Sequence, residues 1–445
     1  MAKLQTTPNS PRLQIAAMEA MDVAPPSETY LEVLHRIVWY PGYNVEVREA
    51  AVNRLADYDL PGLKTTLRRR LPNMAALEGR KRLCEIIAER GWIDLTPALV
   101  SGWAVSIVGQ DDDLQRPEAK ALAALHGEAN LSDVVFDLMV QSNRVAEQGL
   151  RTRCWNLLHH LGQRDRLVSL LRDHEPPADD AMLVDLHAGA VELGLVPYNR
   201  EEILWLRKLR QPENAEFWAE AVAAASALEE SLRAELEIRD LAIVVSARRH
   251  DPELLKQTRT QLLERLRAGL KGRKHHDRGS RFDDTIGSRK DRLYEWREEV
   301  TWGDLAAMLI AVRAIQVPQV VEHLFDYARR DREDETTEYG GVIRLDEKGR
   351  FEILEFPPRI RRHDQQFNAP QEMLDAAYTA LFHFHLHVQR LRNAEYAAPG
   401  FGDLNYADNV RANCLVFTSV NRTTMNVDYY RHGRVVVDLG EIHQR

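Results

Sequence analysis

The chain is poor in cysteine and in long apolar runs, and each shortage excludes a class of protein. Its three cysteines, Cys84, Cys154 and Cys414, lie far apart and form no C-x-x-C spacing. We therefore expect no disulfide framework and no thiolate zinc site, but three buried thiols. No apolar stretch approaches the roughly 20 residues that cross a bilayer, and the N-terminal residues lack the apolar core of a secretory signal. These absences predict a cytoplasmic protein without a membrane partner.

The chain also lacks an excess of positive charge. It has 59 Lys and Arg against 68 Asp and Glu, which gives a net charge of −9. Such a protein has no overall attraction to nucleic acid or to anionic lipid, so nucleic acid is not the expected partner. Its 445 residues leave room for two or three domains of ordinary size.

The first part of the chain is predicted to be all-helical. After a tail that we expect to be disordered, 1–26, apolar residues return every three or four positions across 27–270, between short loops with Pro, Gly or Asp. Similar pairs of amphipathic segments begin at Val47, Glu78, Pro117 and Gly149. Such pairs bury their apolar faces by stacking on their neighbours. The pattern resembles HEAT repeats, which implies a solenoid that binds a protein partner; a non-repeating helical bundle is the alternative.

A change of composition marks the end of the helical part. Residues 271–300 are rich in Arg, Lys, Gly and Asp and poor in aliphatic side chains, which predicts a basic flexible linker with His275 and His276 in solvent. Contact with nucleic acid is the alternative for this segment, although few aromatic residues are present to stack on bases. A connecting helix is predicted over 301–316.

The last part, 317–445, changes from helical to strand patterns. A helix that starts at Pro318 is followed by six strand-like runs, namely YGGVIRL, RFEILEF, LFHFHLHV, CLVFTSV, MNVDYYR and RVVVDLGEI. The fold class predicted for the chain is therefore an all-α repeat region followed by an α+β domain.

Three histidines occupy every second position of one predicted strand. His383, His385 and His387 share a face, and residues two apart in a strand lie about 6.6 to 6.8 Å apart. Two neighbouring imidazoles can lean onto one metal with bonds near 2.0 Å, whereas three in a row span too far for one ion. The strand therefore predicts two ligands, either His385 and His387 or His383 and His385.

Two carboxylates flank this strand in a fixed order. Glu338 precedes Gly340 and Gly341 at the start of the first strand, and Asp403 follows a Pro-Gly turn at a predicted helix start. The order helix, E-x-G-G-x-I, paired strands, H-x-H, P-x-x-x-D and a further strand resembles the JAMM zinc metalloprotease family, also called JAB or MPN-plus. The resemblance covers 317–445 only and implies a mixed sheet with the α/β/α layering of cytidine deaminases.

The resemblance also implies a ligand set and a reaction. It implies that His385, His387 and Asp403 bind Zn²⁺ with water in the fourth position, and that Glu338 is the general base. His383 then supports the site from the same face. Three protein ligands and an open position are typical of catalytic zinc. The implied activity is hydrolysis of an amide or isopeptide bond, with a ubiquitin-like modifier or its conjugate as the expected protein substrate.

The sequence departs from the family in two ways: the gap between H-x-H and the aspartate motif is longer, and one residue of that motif differs. The family has a serine three residues before the aspartate, where it helps to stabilise the oxyanion, and this chain has Gly400. Losing one such donor costs about 10²- to 10³-fold in turnover. A backbone N–H of the Gly-rich turn, Asn405 or Ser419 are substitute donors; otherwise the domain is inactive.

Three functions are therefore open from the sequence. The first is a JAMM-type metallopeptidase, the second is an interaction scaffold with a weakened or inactive JAMM-like domain, and the third is a nucleic-acid-associated factor that uses the basic linker. A cupin-like site with Glu395 and His432 is a further reading of the histidines, but its spacing and the neighbouring helices fit a double-stranded barrel poorly.

Overall fold

The computed structural model describes residue 4 and residues 10–74, 77–105, 113–142, 145–279, 290–356, 367 and 369–444. Contacts within the chain divide it into two compact units, Met1–Leu167 and Val168–Arg445. The division falls before the residue 270 boundary predicted from composition. Helices from the middle of the chain therefore share a unit with the C-terminal sheet.

The described residues of the first unit form helices joined by turns and short loops, without a strand. Its apolar side chains recur at helical spacing, and consecutive helices pack on one another and on the next pair. Polar residues cap several of the helices; Ser27, for example, accepts a hydrogen bond from the Tyr30 N–H. The helices are α1 Pro11–Met21, α2 Glu28–Trp39, α3 Val45–Tyr58, α4 Leu60–Arg70, α5 Leu77–Glu89, α6 Thr96–Trp103, α7 Pro117–His126, α8 Leu131–Gln141, α9 Gln148–His160 and α10 Arg164–Arg172, the last of which runs into the second unit.

The predicted disorder of 1–26 is wrong for the residues that form α1. Ser10 caps this helix and Pro11 stands at its first position. Met18 is fully buried, and its carbonyl accepts a hydrogen bond from the Tyr30 hydroxyl. The helix-forming sequence and the Ser10-Pro11 start were local signals for this helix, which the prediction of a disordered tail passed over.

The helices of the second unit begin with short, loop-separated segments and end with two longer ones. They are α11 Ala181–Ala188, which continues into a π-helical turn at Gly189–Leu193, α12 Arg200–Leu209, α13 Ala215–Ala225, α14 Glu230–Ala234, α15 Leu241–His250, α16 Arg259–Leu270, α17 Leu293–Trp296, α18 Trp302–Ala314 and α19 Pro318–Glu333. Short 3₁₀ turns, including Ile238–Asp240, connect some of them. Helix α18 is almost wholly buried, and apart from Asp304 and Arg313 its sequence carries no charge.

Six strands form one mixed sheet in the second unit. They are β1 Gly340–Leu345, β2 Phe351–Glu355, β3 Phe382–His387, β4 Cys414–Asn421, β5 Thr424–Arg431 and β6 Val435–His443, with α20 Gln371–Ala377 and α21 Phe401–Val410 between strands. The order is β2-β1-β3-β4-β5-β6, with β3 and β4 parallel and the other pairs antiparallel. The prediction of a helical region followed by an α+β domain with these strands is confirmed, as are the three buried free cysteines.

A buried ionic network joins the helices of the second unit to the sheet. Arg239, in the 3₁₀ turn before α15, donates to Asp304 of α18 at 2.7 Å and to the Tyr429 hydroxyl of β5 at 2.9 Å. Arg431 of β5 binds the same carboxylate at 2.9 Å. Trp205 of α12 adds a hydrogen bond from its indole N–H to a backbone carbonyl just before β3, at 2.7 Å.

The described parts of the predicted linker, 271–279 and 290–300, lie against the sheet. The backbone N–H of Glu441 donates to the Lys274 carbonyl, and that of Asp438 donates to the Asp291 carbonyl, so both segments cover the edge of β6. The prediction that His275 and His276 are solvated is therefore wrong. Both are half-buried, and their rings contact Asp438 and Glu441 at 3.2 and 2.7 Å. These carboxylates lie far along the chain, which the local composition did not reveal. Residues 280–289 lie outside the described residues.

Among the described residues, no single helix has both the length and the apolar composition to cross a membrane. Helices α18 and α19 meet both requirements only when taken together, and the chain bends by 84° between them.

Candidate metal centre

The histidines lie on one face of β3, in the middle of the sheet. Phe382, Phe384 and Leu386 alternate with them and are buried, as a strand with period two requires. Strand β3 pairs with β1 on one side and with β4 on the other. The histidine side chains are therefore held on a strand that is fixed from both sides.

Two of the three histidines meet Asp403. The Nε2 atoms of His385 and His387 lie 3.2 Å apart. One oxygen of Asp403 lies 3.2 Å from His385 Nε2, and the other lies 3.4 Å from His387 Nε2. Asp403 is the third residue of α21, where its carboxylate accepts a hydrogen bond from the Gly400 N–H at 2.7 Å. The helix start thus fixes the carboxylate in front of the strand, where the sequence predicted it.

The second nitrogen of each of these rings also has a contact. His387 Nδ1 lies 3.1 Å from the Tyr396 carbonyl, which only accepts, so Nδ1 carries a proton and Nε2 is the atom available to a metal. His385 Nδ1 lies 3.3 Å from the Tyr430 hydroxyl, and Phe367 stacks on the His385 ring with 6° between the planes. Both rings are therefore oriented with Nε2 towards Asp403.

Glu338 joins the same cluster from the neighbouring strand. Because Gly340 pairs with His385 in the antiparallel β1–β3 ladder, Glu338 lies opposite His387 on the histidine face. Ligand atoms of Glu338, His385 and His387 all lie within 4.8 Å of one another. Glu338 is 5% exposed and accepts a hydrogen bond from Gln389 Nε2 at 2.5 Å.

The two glycines after Glu338 allow close backbone approach, as predicted. A Cβ at Gly341 would lie 2.1 Å from the Leu354 carbonyl oxygen, and one at Gly340 would lie 2.6 Å from the Phe384 carbonyl oxygen. Any larger residue would therefore separate β1 from β2 and β3. Because β3 carries the histidines, these glycines keep Glu338 within reach of them.

His383 stands apart from this cluster. Its Nδ1 lies 2.8 Å from the Tyr406 hydroxyl of α21, and its Nε2 is buried without a hydrogen-bond partner. Burial lowers the pKa of His383 to about 4, so the ring is neutral at neutral pH. Of the two histidine pairs that the sequence left open, the geometry favours His385 and His387.

The ionisable groups of the cluster perturb one another strongly. Burial acts to raise the pKa of Asp403, but His385 and His387 outweigh it and hold the pKa well below its usual range. Burial acts to lower the pKa of His387, but Asp403 outweighs it and raises the pKa to about 9. Burial raises the pKa of Glu338, a shift that His387 partly opposes. In the absence of a metal, a proton on His387 is therefore the counter-charge of Asp403.

A cavity of about 300 Å³ opens next to these groups. Glu338, His387 and Asp403 line it, together with residues from the loop before α21 and two arginines, Arg278 and Arg390. A smaller cavity of about 120 Å³ lies on the side of His385 that faces Phe367, Met373 and His383. The larger cavity has room for the groups that flank a peptide bond.

Two residues predicted to support the site lie elsewhere. Neither Asn405 nor Ser419 is among the described residues that line the larger cavity. Ser419 is buried on β4, where its hydroxyl lies 3.3 Å from Arg332. His432, from the cupin reading, pairs with Glu237 at 2.6 Å in the helical part of the unit.

Several residues of the site were not predicted from the sequence. Gln389 holds Glu338, and Asn393 donates both to Gln389 Oε1 and to the His387 carbonyl, each at 3.1 Å. Tyr396 and Tyr430 orient the histidine rings. The Q-x-x-x-N spacing just after the histidine strand is the only local signal that was available for any of them.

The two histidine nitrogens have the spacing that a tetrahedral zinc site needs, and the Asp403 carboxylate lies at a similar distance from each of them. With zinc bonds of about 2.0 to 2.1 Å, neighbouring ligand atoms of a tetrahedron lie about 3.3 Å apart. The two Nε2 atoms lie 3.2 Å apart, and they lie 3.2 and 3.4 Å from the two different oxygens of Asp403. Two imidazole nitrogens and one carboxylate also match the donor types of zinc. The residues therefore fit this metal.

Comparison with known proteins finds no counterpart for this chain. No protein-family model, no curated protein and no solved structure matches it.

Proposed function

We propose that the chain is a zinc-dependent metallopeptidase of the JAMM type that hydrolyses an amide or isopeptide bond. The observation that supports this proposal is the 3.2 to 3.4 Å spacing of the His385, His387 and Asp403 ligand atoms, with Glu338 beside them in an open cavity. The proposed substrate is a protein that carries a ubiquitin-like modifier, and the helical repeats would recruit the substrate or a protein partner. The proposed compartment is the cytoplasm.

Zn²⁺, when bound, lowers the pKa of its water to about 7 and polarises a carbonyl group. His385, His387 and Asp403 would hold it. Glu338 would accept a proton from the attacking water and pass it to the leaving amine, and its raised pKa suits that role at neutral pH. Gln389 keeps one Glu338 oxygen in place. The chain's residues thus divide into three ligands, one proton carrier and the side chains that orient them.

The first test is the zinc content of the purified protein. We expect about one zinc per chain, lost in His385→Ala, His387→Ala and Asp403→Ala because each removes one of three protein ligands. His383→Gln is the matched control on the same strand, since its ring contacts Tyr406 instead, and it should retain zinc. Absence of zinc from the wild type after reconstitution would refute the metal site. Loss of zinc in His383→Gln, with His387→Ala unaffected, would refute the choice of histidine pair.

The second test separates catalysis from metal binding. Glu338→Gln keeps the side-chain shape and its contact with Gln389 but cannot accept the proton. We expect it to retain zinc and to lose at least 10²-fold in the hydrolysis of linear and isopeptide-linked ubiquitin-like fusions. Equal activity in Glu338→Gln and the wild type would remove Glu338 from the mechanism.

Gly400 favours a second candidate, an interaction scaffold with an inactive JAMM-like domain. The residue lacks the hydroxyl that the family uses, and its N–H is engaged by Asp403. A protein that binds one zinc, retains it in every Glu338 variant and cleaves none of these substrates would support this candidate.

A further inference from the structure

The cavity lacks the serine hydroxyl expected from the resemblance, and several of the substitutes named from the sequence are occupied or distant. The Gly400 N–H donates to Asp403, and the Ala398 N–H, in the same loop, donates to Asp428 at 3.0 Å. Ser419 contacts Arg332 and does not line the cavity. The N–H groups of Phe401 and Gly402 remain at the cavity, but a charged donor stabilises negative charge on a substrate carbonyl more strongly than a neutral N–H does.

Arg278 brings a cation to the wall of the same cavity. It belongs to the segment predicted to be a solvated linker, yet its side chain is 7% exposed and lines the cavity with Glu338, His387, Gly400 and Asp403. Its Nη1 lies 3.2 Å from Asp291, a buried carboxylate on the other described part of that segment.

The backbone on both sides of Arg278 is anchored to the C-terminal domain. The His276 N–H donates to Asp438 of β6 at 2.9 Å, and the Gly279 N–H donates to the Glu395 carbonyl, in the loop after β3, at 3.0 Å. These contacts fix the backbone that carries the guanidinium at the wall of the cavity. The guanidinium therefore needs no reorganisation during the reaction. A preorganised cation in a partly water-excluded site stabilises developing charge far better than a mobile one.

We propose that Arg278 is the oxyanion-binding residue of this site, in place of the serine that Gly400 replaces. This inference rests on the proposed function. When water adds to the amide carbon, a C–O bond forms and the carbonyl π electrons move to the oxygen. The water proton passes to Glu338, and the C–N bond then breaks as the amine takes that proton. The Arg278 guanidinium, which lines the cavity, stabilises the negative oxygen between these two steps.

The direct test measures anion binding and does not need activity. Isothermal titration calorimetry with sulfate, a tetrahedral dianion, is carried out on the full chain with one zinc and again on the metal-free chain. Because removing Arg278 alone would leave Asp291 buried without its cation, the test variant is Arg278→Met with Asp291→Asn, and Asp291→Asn alone is the matched control. Arg390→Met removes the exposed arginine of the same cavity.

We expect sulfate affinity to fall at least tenfold in the double variant, in both metal states, and less than threefold in the two controls. Arg278→Lys should lie in between, since it keeps the charge and loses the planar fork. Sulfate binding that is equal in the double variant and in Asp291→Asn, or no sulfate binding by the wild type, would overturn the assignment. In that case, the first-turn N–H groups of Phe401 and Gly402 in α21 would be the next donors to examine.

Kinetic measurements on the same variants give a second, independent test. We expect the double variant to retain zinc and to lose about 10²-fold in kcat with little change in KM, since Arg278 acts on the transition state. Added guanidinium, or Gly400→Ser in the same chain, should restore part of the loss. A wild type without zinc or activity but with Arg278-dependent sulfate binding would refute the peptidase and leave the anion site standing. An active wild type whose kcat survives the double substitution would refute Arg278 alone.

Discussion

The second unit has two clusters of buried ionisable side chains, and they are built on opposite plans. Around Asp304, Arg239 donates to one carboxylate oxygen and Arg431 donates to both. Around Asp403, the side chains in contact are two imidazoles, and a second carboxylate, Glu338, lies beside them. The Asp304 cluster carries its own cations. The Asp403 cluster consists of lone-pair donors, and its cation must come from outside the chain.

This difference separates a structural ionic network from a site that takes a ligand. Burial acts to raise the pKa of Asp304, but Arg239 and Arg431 outweigh it and hold the pKa far below its usual range. In the Asp403 cluster, the charge of the buried carboxylate is compensated by a proton on His387. A bound divalent cation would replace that proton.

The largest effect is expected from removing Asp304. Asp304→Ala leaves two buried arginines without their shared carboxylate and should lower the free energy of unfolding by about 3 to 5 kcal/mol. Urea denaturation followed by circular dichroism measures this. Glu264→Ala, which breaks an exposed pair with Arg267 at 2.9 Å, is the control and should cost less than about 0.5 kcal/mol. A loss below 1 kcal/mol for Asp304→Ala would contradict the view that this network holds the helices to the sheet.

The Asp304 contribution should also depend on pH with a definite sign. Because the folded pKa lies below the unfolded value of about 3.9, the stabilisation is present in full above that value and is lost as the pH falls towards the folded pKa. The stability difference between the wild type and Asp304→Asn should therefore shrink below about pH 4. A difference that grows on acidification would reverse the assigned sign.

The next effect is the competition between zinc and protons at the Asp403 cluster. Because the pKa of His387 is about 9 in the metal-free chain, zinc must displace a proton at neutral pH. Zinc affinity should fall about tenfold for each unit of pH below 9, with release of about one proton per zinc at pH 7. Competition with a chromophoric chelator at several pH values tests this, with His383→Gln as a control of unchanged slope. A flat profile between pH 6.5 and 8.5 would show that His387 is not protonated in the free site.

The smallest effect is expected from Gly400→Ser. The nearest atom to a Cβ at this position is Asp403 Oδ2 at 3.5 Å, so a serine fits, and its hydroxyl would cap α21. Serine instead of glycine at a helix N-cap gains a few tenths of a kcal/mol, which a thermal melt detects. If the hydroxyl also reaches the oxyanion, kcat should rise by up to about tenfold. A fall in zinc content would show that the new side chain displaces Asp403.

The sequence predicted the parts of the site that depend on local pattern. The alternation in β3 placed the histidines on one face, and the glycines at 340 and 341 placed Glu338 beside a close strand contact. The position of Asp403 was predicted from the turn that precedes a helix. Each of these predictions needs only the period of a strand or the start of a helix.

The parts that were missed depend on contacts between distant residues. Arg278 and Asp291 belong to a polar segment that was predicted to be solvated. The neighbouring sequence does not indicate that β6 and the loop after β3 bind that segment. Arg239, Asp304 and Tyr429 are widely separated along the chain, so their meeting is a property of the folded unit. Composition predicts solvation correctly only where no distant partner binds the segment.

The backbone contacts of β6 have a consequence for association between molecules. An outer strand offers unpaired N–H and C=O groups on which another chain can add a strand. Here, the Lys274 and Asp291 carbonyls accept hydrogen bonds from the N–H groups of Glu441 and Asp438. The segment between the helices and the sheet therefore blocks intermolecular strand addition at β6, and cutting or displacing it would open that edge to aggregation.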